Sequence, residues 1–216
     1  MIVTRIASEA EANCVMIPAH GTSLAPPKAM EANLQSALAR VPREDFIPEQ
    51  FKVFASEDHP LPIGENQTIS QPSLVAFMTQ QLQVEKHHRV LEVGTGSGYQ
   101  TALLAELARE VFTIEVRAGL SATAQAVLLL HGYSNIEFRI GSGHKGWLEK
   151  APFDRVMVTA AAEDLPTTLF HHMKPDGRMI IPIKVGRDQE LFLVTNKNNK
   201  PDLTSLVSVR FVPMID

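Results

Sequence analysis

The sequence predicts an α/β fold with a doubly wound, mainly parallel β-sheet that helices cover on both faces. From Arg89 onwards, short apolar and β-branched runs alternate with segments of helical periodicity. This alternation implies parallel strands joined by crossover helices. At one junction, RVLEVGTGSGYQTA (residues 89–102), three glycines stand between a strand and a helix. Such a turn brings backbone N–H groups and a helix N-terminus close to a ligand.

Composition and charge exclude several classes of protein. The chain has 216 residues, is 44% hydrophobic and carries a formal net charge of −4, which disfavours a broad nucleic-acid-binding surface. A single cysteine, Cys14, allows no intramolecular disulfide and suits a reducing compartment. The N-terminus has early acidic residues and no secretory pattern, and no run approaches the roughly 20 apolar residues of a membrane span. We therefore expect a cytoplasmic protein without a membrane segment.

The first 83 residues are predicted to form a helical and loop segment that packs on the main domain, residues 84–216. Its predicted helices cover part of Ile6–Val15, Lys28–Val41 and Pro72–Gln83. Between the last two, Phe54–Gln71 is rich in Pro, Gly, Asn and Ser, with single apolar residues set among polar ones. We predict an irregular loop there, and long irregular loops in compact domains often carry function.

The main domain is predicted to contain seven strands and three helices. The strands are Arg89–Val93, Val111–Val116, Ile136–Ile140, Phe153–Ala160, Met179–Ile183, Leu191–Thr195 and Leu206–Val212, and the helices are Tyr99–Ala108, Leu120–His131 and Leu165–Met173. No helix-length segment separates the last strands, so we expect the sheet to end in antiparallel strands.

Two acidic residues narrow the choice of ligand. The G-x-G-x-G spacing differs from that of dinucleotide sites, and no Lys-Ser or Lys-Thr follows as in a phosphate loop. Glu92 precedes the first glycine, where a carboxylate would attract a sulfonium and repel pyrophosphate. Glu115 ends the next predicted strand, where a carboxylate can accept both ribose hydroxyls. These features favour S-adenosylmethionine, although both carboxylates could instead cap helices or face solvent.

Five segments together resemble one known family. VLEVGTGSGYQTALLAEL resembles the first motif of the Rossmann-like class I methyltransferases. Joined to VPREDFIPEQF, PLPIGENQTISQP, PFDRVMVTAAAEDLP and MKPDGRMIIPI, it resembles the protein-L-isoaspartate O-methyltransferase family from about Val41 to Val212. The resemblance implies protein repair: S-adenosylmethionine-dependent methylation of the α-carboxyl of L-isoaspartyl residues, with S-adenosyl-L-homocysteine as the product. The ester would then cyclise to a succinimide without the enzyme, and hydrolysis would partly restore aspartate.

The resemblance also implies roles for individual residues. Ser70 matches the active-site hydroxyl of the family, although from its position it could equally cap the following helix. The residues expected to contact the cofactor are Glu92, Gly94, Thr95, Gly96, Ser97, Gly98, Glu115, Ser142 and Gly143, with Ser142 and Gly143 beside the adenine. The residues expected to border the acceptor are Thr68, Ile69, Thr159, Ala160, Ala161 and Val212.

The chain departs from the family pattern at two informative positions. Asn66 stands where a glycine is usual, and asparagine tolerates the left-handed backbone better than most residues. Ser142 stands where an aspartate is usual beside the adenine, so it would accept a hydrogen bond without a charge. These departures leave open methylation of a different carboxylate or a small molecule, and a non-catalytic S-adenosylmethionine-binding module. No metal site is expected, because the neighbouring histidines of each His-His pair would point apart on a helix.

Overall fold

The computed structural model describes residues 16–17 and 28–216. The predicted helix within Ile6–Val15 and the lone Cys14 lie outside these residues. The strands are β1 (Met16–Ile17), β2 (Leu61–Gly64), β3 (Gln67–Ile69), β4 (Arg89–Val93), β5 (Glu110–Glu115), β6 (Ile136–Ile140), β7 (Phe153–Val158), β8 (Met173–Val185), β9 (Asp188–Lys197) and β10 (Lys200–Val209). The helices are α1 (Lys28–Arg40), α2 (Pro72–Leu82), α3 (Tyr99–Leu107), α4 (Ala118–Leu130) and α5 (Thr167–His171). No helix in the described ranges is long and apolar enough to span a membrane.

The sheet confirms the predicted fold class. Over the described residues it has eight strands in the order β1-β10-β9-β8-β7-β4-β5-β6. Strands β4, β5, β6, β7 and β8 pair with one another in parallel. Strands β9, β10 and β1 extend the sheet beyond β8 with antiparallel pairing. Strand β4 pairs with both β5 and β7, so the strand order reverses at β4. In open α/β sheets, ligands bind in the crevice outside the carboxyl ends of the strands at such a reversal.

Alternating side chains of the central strands build a core on each face of the sheet. On β4, Val90 belongs to the cluster that includes Leu103 of α3 and Leu74 of α2. Its neighbour Leu91 belongs to the opposite cluster, with Phe112 of β5. Successive side chains of a strand point to opposite faces. Residue 92 of β4 must therefore point to the same face as Val90, towards α3.

The segment predicted to be an irregular loop contains a β-hairpin. Strand β2 pairs antiparallel with β3, with Leu61 opposite Ile69 and Gly64 opposite Gln67. The two-residue turn is Glu65-Asn66, and both residues have positive φ, 48° and 57°. A tight hairpin turn of this kind needs positive φ at both central residues. The Asn66 backbone is therefore left-handed, as its tolerance of that conformation allows.

The C-terminal strands are longer than predicted. The segment KPDG (residues 174–177), which directly follows the predicted helix Leu165–Met173, lies within β8, where Asp176 has a φ of 59°. The predicted loop between the last two strands is mostly strand, closed by Asn198-Asn199 with φ of 53° and 59°. Asparagine supports the left-handed backbone of such turns, so both strands continue up to it.

Candidate functional site

Two adjoining cavities lie at the carboxyl ends of β4 and β7, where the strand order reverses. The larger cavity has a volume of about 240 Å³ and the smaller about 60 Å³. They share five lining residues: Thr68, Gly94, Gly96, Thr159 and Val212. A group bound at this shared wall is therefore accessible from both cavities.

The glycine turn after β4 forms the floor of both cavities. Gly94 has a φ of 94°, and a Cβ added to it would lie 2.3 Å from the Thr159 Oγ1 atom. The Thr159 hydroxyl instead donates to the Gly94 carbonyl at 2.7 Å and to the Val93 carbonyl at 3.1 Å. The end of β7 is thus fastened to the turn, and only glycine leaves room for this contact.

Glu115 lines the larger cavity and also braces the glycine turn. Its Oε2 accepts the Gly96 N–H at 2.9 Å, and its Oε1 accepts the Arg117 N–H at 3.0 Å. Each carboxylate oxygen has further lone pairs that can accept hydrogen bonds. The position therefore suits a ligand that presents two hydroxyl groups.

Glu92 does not face either cavity, contrary to the expectation that its carboxylate would meet a cationic ligand. The side chain is fully buried beneath α3, where its Oε2 accepts the hydroxyls of Thr101 at 2.6 Å and Thr113 at 2.7 Å. The Thr113 hydroxyl also bonds the Thr95 hydroxyl at 2.6 Å. Burial raises the pKa of the Glu92 carboxyl to about 8. Glu92 thus supports the glycine turn through Thr113 and Thr95 from below.

The β2–β3 hairpin contributes a wall to both cavities. Ile63, Asn66 and Gln67 line the larger cavity, and the Ile63 Cδ1 atom lies 3.6 Å from where a Cβ on Gly96 would stand. At the hairpin tip, the Glu65 carboxylate lies 3.7 Å from the Arg117 guanidinium at the start of α4. Sequence reasoning missed Ile63 and Gln67, because it did not recognise the hairpin that places them there.

Ser70 follows β3 and lines the smaller cavity together with Thr68 and Ile69. It is not the N-cap of α2: that residue is Gln71, whose side chain makes no capping hydrogen bond. Asp58 serves the helix start instead, since its Oδ1 accepts the Ser73 N–H at 2.9 Å. The capping alternative for Ser70 is therefore wrong.

The segment after β10 forms the remaining wall. The Ala161 N–H donates to the Val212 carbonyl at 2.8 Å, and the Met214 N–H donates to the Ala161 carbonyl at 2.7 Å. Ala160 lines the larger cavity, whereas Ala161 is buried and lines neither. Met214 also lines the larger cavity. It was not predicted, because no sequence pattern indicates that residue 214 lies close to the glycine turn.

The other predicted cofactor residues divide into cavity-lining and supporting positions. Thr95 and Ser97 line the smaller cavity, and Gly143 lines the larger one. Gly98 begins α3 with a φ of 88° and lines neither cavity. Ser142 also lines neither cavity, and its hydroxyl donates to the Asp216 carboxylate.

Glu85, His87 and His88 form a small cluster before β4, at the opposite end of the strands from the cavities. Their potential ligand atoms lie within 4.8 Å of one another, and the two histidine rings are 4.3 Å apart. The expectation that these neighbouring histidines diverge is wrong, because they lie in a turn rather than on a helix. The His88 Nδ1 atom already accepts the Glu85 N–H at 2.9 Å.

Comparison with known proteins agrees with this geometry. The family model described as protein-L-isoaspartate(D-aspartate) O-methyltransferase matches residues 28–216. A protein-L-isoaspartate O-methyltransferase of Opitutus terrae is 51% identical over 184 residues, 85% of this chain and 78% of the relative. One of Myxococcus xanthus is 48% identical over 188 residues, 85% of this chain and 89% of the relative.

Solved structures show the same fold. A protein-L-isoaspartate O-methyltransferase structure superposes with a TM-score of 0.81 at 28% identity, over 87% of this chain, which spans 62% of that structure's chain. A β-aspartate methyltransferase of Plasmodium falciparum, solved in complex with S-adenosyl-L-homocysteine, superposes with a TM-score of 0.76 at 24% identity, covering 85% of this chain and 90% of that one. The family model matches residues 28–216, and about half of the aligned residues are identical in the two relatives. The chain therefore belongs to the protein-L-isoaspartate(D-aspartate) O-methyltransferase family.

Proposed function

We propose that this chain transfers a methyl group from S-adenosylmethionine to the free α-carboxylate of L-isoaspartyl residues in damaged proteins, with S-adenosyl-L-homocysteine as the product. The observation that carries the proposal is the pair of adjoining cavities. One contains Glu115 and the glycine turn, the other contains the Ser70 segment, and both open onto the wall of Gly94 and Thr159. A cofactor and an acceptor bound in these cavities would meet at that wall.

The larger cavity fits the cofactor chemically. The Glu115 carboxylate is anchored by two backbone N–H groups and still lines the cavity, so it suits the ribose hydroxyls. A side chain on Gly96 would project between the turn and Ile63, into the space that a ligand needs. We assign the glycine turn, Gly94, Thr95, Gly96 and Ser97, to the methionine part, which would extend from the larger cavity to the smaller one that Thr95 and Ser97 line.

The adenine end of the cofactor is assigned to the end of β6. Gly141 and Gly143 line the larger cavity there, on either side of Ser142. A Cβ on Gly143 would lie 2.2 Å from the Val93 Cγ1 atom, so glycine keeps this wall close to β4. We assign Gly143 to the adenine site, and Ser142 to its rim.

When bound, S-adenosylmethionine supplies an electrophilic methyl group on a sulfonium sulfur. A free α-carboxyl group has an unperturbed pKa of about 3.3–3.7, so it is already an ionised nucleophile near neutral pH. The chain therefore needs no general base, and its task is to orient the carboxylate towards the shared wall. Ser70 and Thr68 offer hydroxyl groups for this purpose, and Ile69, Thr159, Ala160 and Val212 would border the acceptor.

We also propose which part of the chain binds each ligand, which partners it has and where it is located. Residues 1–83 would contribute the acceptor loop, and residues 84–216 would hold the cofactor. Isoaspartyl-containing proteins and peptides are the proposed partners, without nucleic acid, since the net charge is −4. A single cysteine among 216 residues supports a cytoplasmic location.

The test is transfer of methyl label from S-adenosylmethionine to a synthetic peptide with one L-isoaspartyl residue. The matched control is the same peptide with ordinary L-aspartate. The proposal predicts a base-labile ester that releases methanol from the isoaspartyl peptide only. A Ser70→Ala variant should lose about tenfold to hundredfold in kcat/KM, because a hydrogen bond from the Ser70 hydroxyl to the charged acceptor carboxylate is lost. Tight binding of S-adenosyl-L-homocysteine without turnover on either peptide would instead support a different acceptor or a binding module.

A further inference from the structure

Arg43 lies between α1 and β2, and only 6% of its surface is exposed. Its Nη1 atom donates to the main-chain carbonyls of Ala55 at 2.9 Å and Glu57 at 3.4 Å. Its Nη2 atom donates to the carbonyls of His59 at 2.9 Å and Ser70 at 3.1 Å. These carbonyls come from positions 12 to 27 residues further along the chain. One buried guanidinium therefore fastens two separate stretches of main chain.

The Nη2 atom sits at the open end of the β2–β3 hairpin. The last paired residues there are Leu61 and Ile69. His59 precedes this pair on one side, and Ser70 follows it on the other. The guanidinium thus adds a bridge beyond the last pair of the hairpin, and hydrogen bonds from a charged donor are stronger than neutral ones.

A second tie holds the other side of Ser70. The Asp58 Oδ2 atom accepts the Ser73 hydroxyl at 2.7 Å and the Gln71 side-chain amide at 3.3 Å. Ser70 therefore lies between the Arg43 bridge and the Asp58 tie. The chain is thus held on both sides of Ser70, at the point where Ser70 lines the smaller cavity.

We propose that Arg43 is a positioning residue for methyl transfer: its buried guanidinium fixes the Ser70 main chain and thereby holds the Ser70 hydroxyl at the smaller cavity. The inference rests on the proposed function, because that function places the acceptor carboxylate in this cavity. Arg43 itself lines neither cavity, so it acts through Ser70.

The first experiment compares Arg43→Lys with Arg40→Lys. Lysine keeps the charge but has a single nitrogen, which cannot reproduce the fork of donors. Arg40 is a matched control, because it is exposed and pairs with Glu106 at the surface. We expect Arg43→Lys to lower kcat for the isoaspartyl peptide by at least about tenfold, the effect of a misplaced catalytic group. The Kd of S-adenosyl-L-homocysteine should stay within about twofold of the wild-type value, because Arg43 does not line the larger cavity that contains Glu115.

A double-mutant cycle separates positioning from a general structural role. In a Ser70→Ala background, Arg43→Lys should change kcat by less than about twofold, because the group that it positions is already gone. An equal loss of kcat in both backgrounds would overturn the proposal. If Arg43→Lys does not fold, Arg43→Gln enters the same cycle, since a neutral amide avoids a buried unpaired charge.

Hydrogen exchange tests the contact between Arg43 and the Ser70 segment without relying on the proposed function. A wild-type chain that is inactive on the isoaspartyl peptide would overturn the function alone. Amide exchange over residues 68–71 should then still be at least about tenfold faster in Arg43→Lys, because the local opening loses its strongest constraint. Exchange over residues 89–98 should not change. Unchanged exchange at residues 68–71 would overturn the role of Arg43.

Discussion

Replacing Glu92 by glutamine should remove a pH-dependent part of the stability of this protein. The side chain is fully buried, and burial raises the pKa of its carboxyl from 4.5 to about 8, against the opposing hydrogen bonds from Thr101 and Thr113. The carboxyl is therefore protonated in the folded protein near neutral pH. In the unfolded chain the same carboxyl is ionised above about pH 5.

The sign and size of the effect follow from proton linkage. Between pH 4.5 and about 8, the folded state holds a proton that the unfolded state has released, so the free energy of unfolding falls as the pH rises. This contribution is fully present below the unfolded pKa and is lost as the pH passes the folded pKa. At about 1.4 kcal/mol for each pKa unit, the loss is about 5 kcal/mol.

The assay is urea unfolding at a series of pH values from about 5 to 8.5, a range that spans most of the window between the two pKa values. Trp147, the only tryptophan, reports on the core because its ring packs edge-on against Phe112 at 5.9 Å. Glu92→Gln should gain stability relative to the wild type as the pH rises, whereas the exposed Glu163→Gln control should follow the wild-type curve. A difference between wild type and Glu92→Gln that stays constant over this pH range would refute the reasoning.

Two further substitutions test the glycine turn and its carboxylate partner. Glu115→Gln should raise the Kd of S-adenosyl-L-homocysteine by about tenfold to hundredfold in calorimetric titration, because a charged acceptor for the ribose is lost; a Kd within about twofold of wild type would remove Glu115 from the ribose site. Gly98→Ala should lower the free energy of unfolding by about 1–3 kcal/mol, because the backbone φ is 88° and the new Cβ lies 3.1 Å from the Leu128 Cδ1 atom. Gly132→Ala is its control, since Gly132 has a φ of 79° with nothing within 4 Å of the new Cβ; equal losses in the two variants would show that packing against α4 does not matter.

The parts of the fold that depend on local chemistry could be predicted from the sequence. Strand β4 has the predicted bounds, Arg89–Val93, and the three glycines after it all adopt positive φ. An apolar β-branched run and glycines at positions that need a left-handed backbone each leave a local signature. Glu115 is the same kind of case, because a residue at the end of a parallel strand lies at the edge where ligands bind.

Glu92 shows where local pattern is insufficient. The period of two along β4 places residues 90 and 92 on one face of the sheet, but it does not tell which helix covers that face. Only the packing of α3 against the sheet shows that the Glu92 carboxyl lies under Thr101 rather than in a cavity. The sequence therefore predicted that Glu92 faces the ligand, whereas in the structure Glu92 supports the glycine turn.

The hairpin and Arg43 depend on contacts that are distant in sequence or unusual in type. Glu65-Asn66 lacks the glycine that commonly marks a tight hairpin turn, so the composition of its surroundings favoured a loop. Arg43 bonds main-chain carbonyls, which every residue carries, so no side-chain pattern reveals its partners. Both features lie beside Ser70 and the smaller cavity, and neither leaves a local signature in the sequence.

The proposed function requires cofactor and acceptor to meet at one wall, at the ends of β4 and β7. A crystal structure with S-adenosyl-L-homocysteine and an isoaspartyl peptide would show whether they do. We expect ribose hydroxyls on the Glu115 carboxylate and the free peptide α-carboxylate within hydrogen-bond distance of the Ser70 hydroxyl. A peptide carboxylate bound away from Ser70, or a ribose that does not contact Glu115, would contradict it.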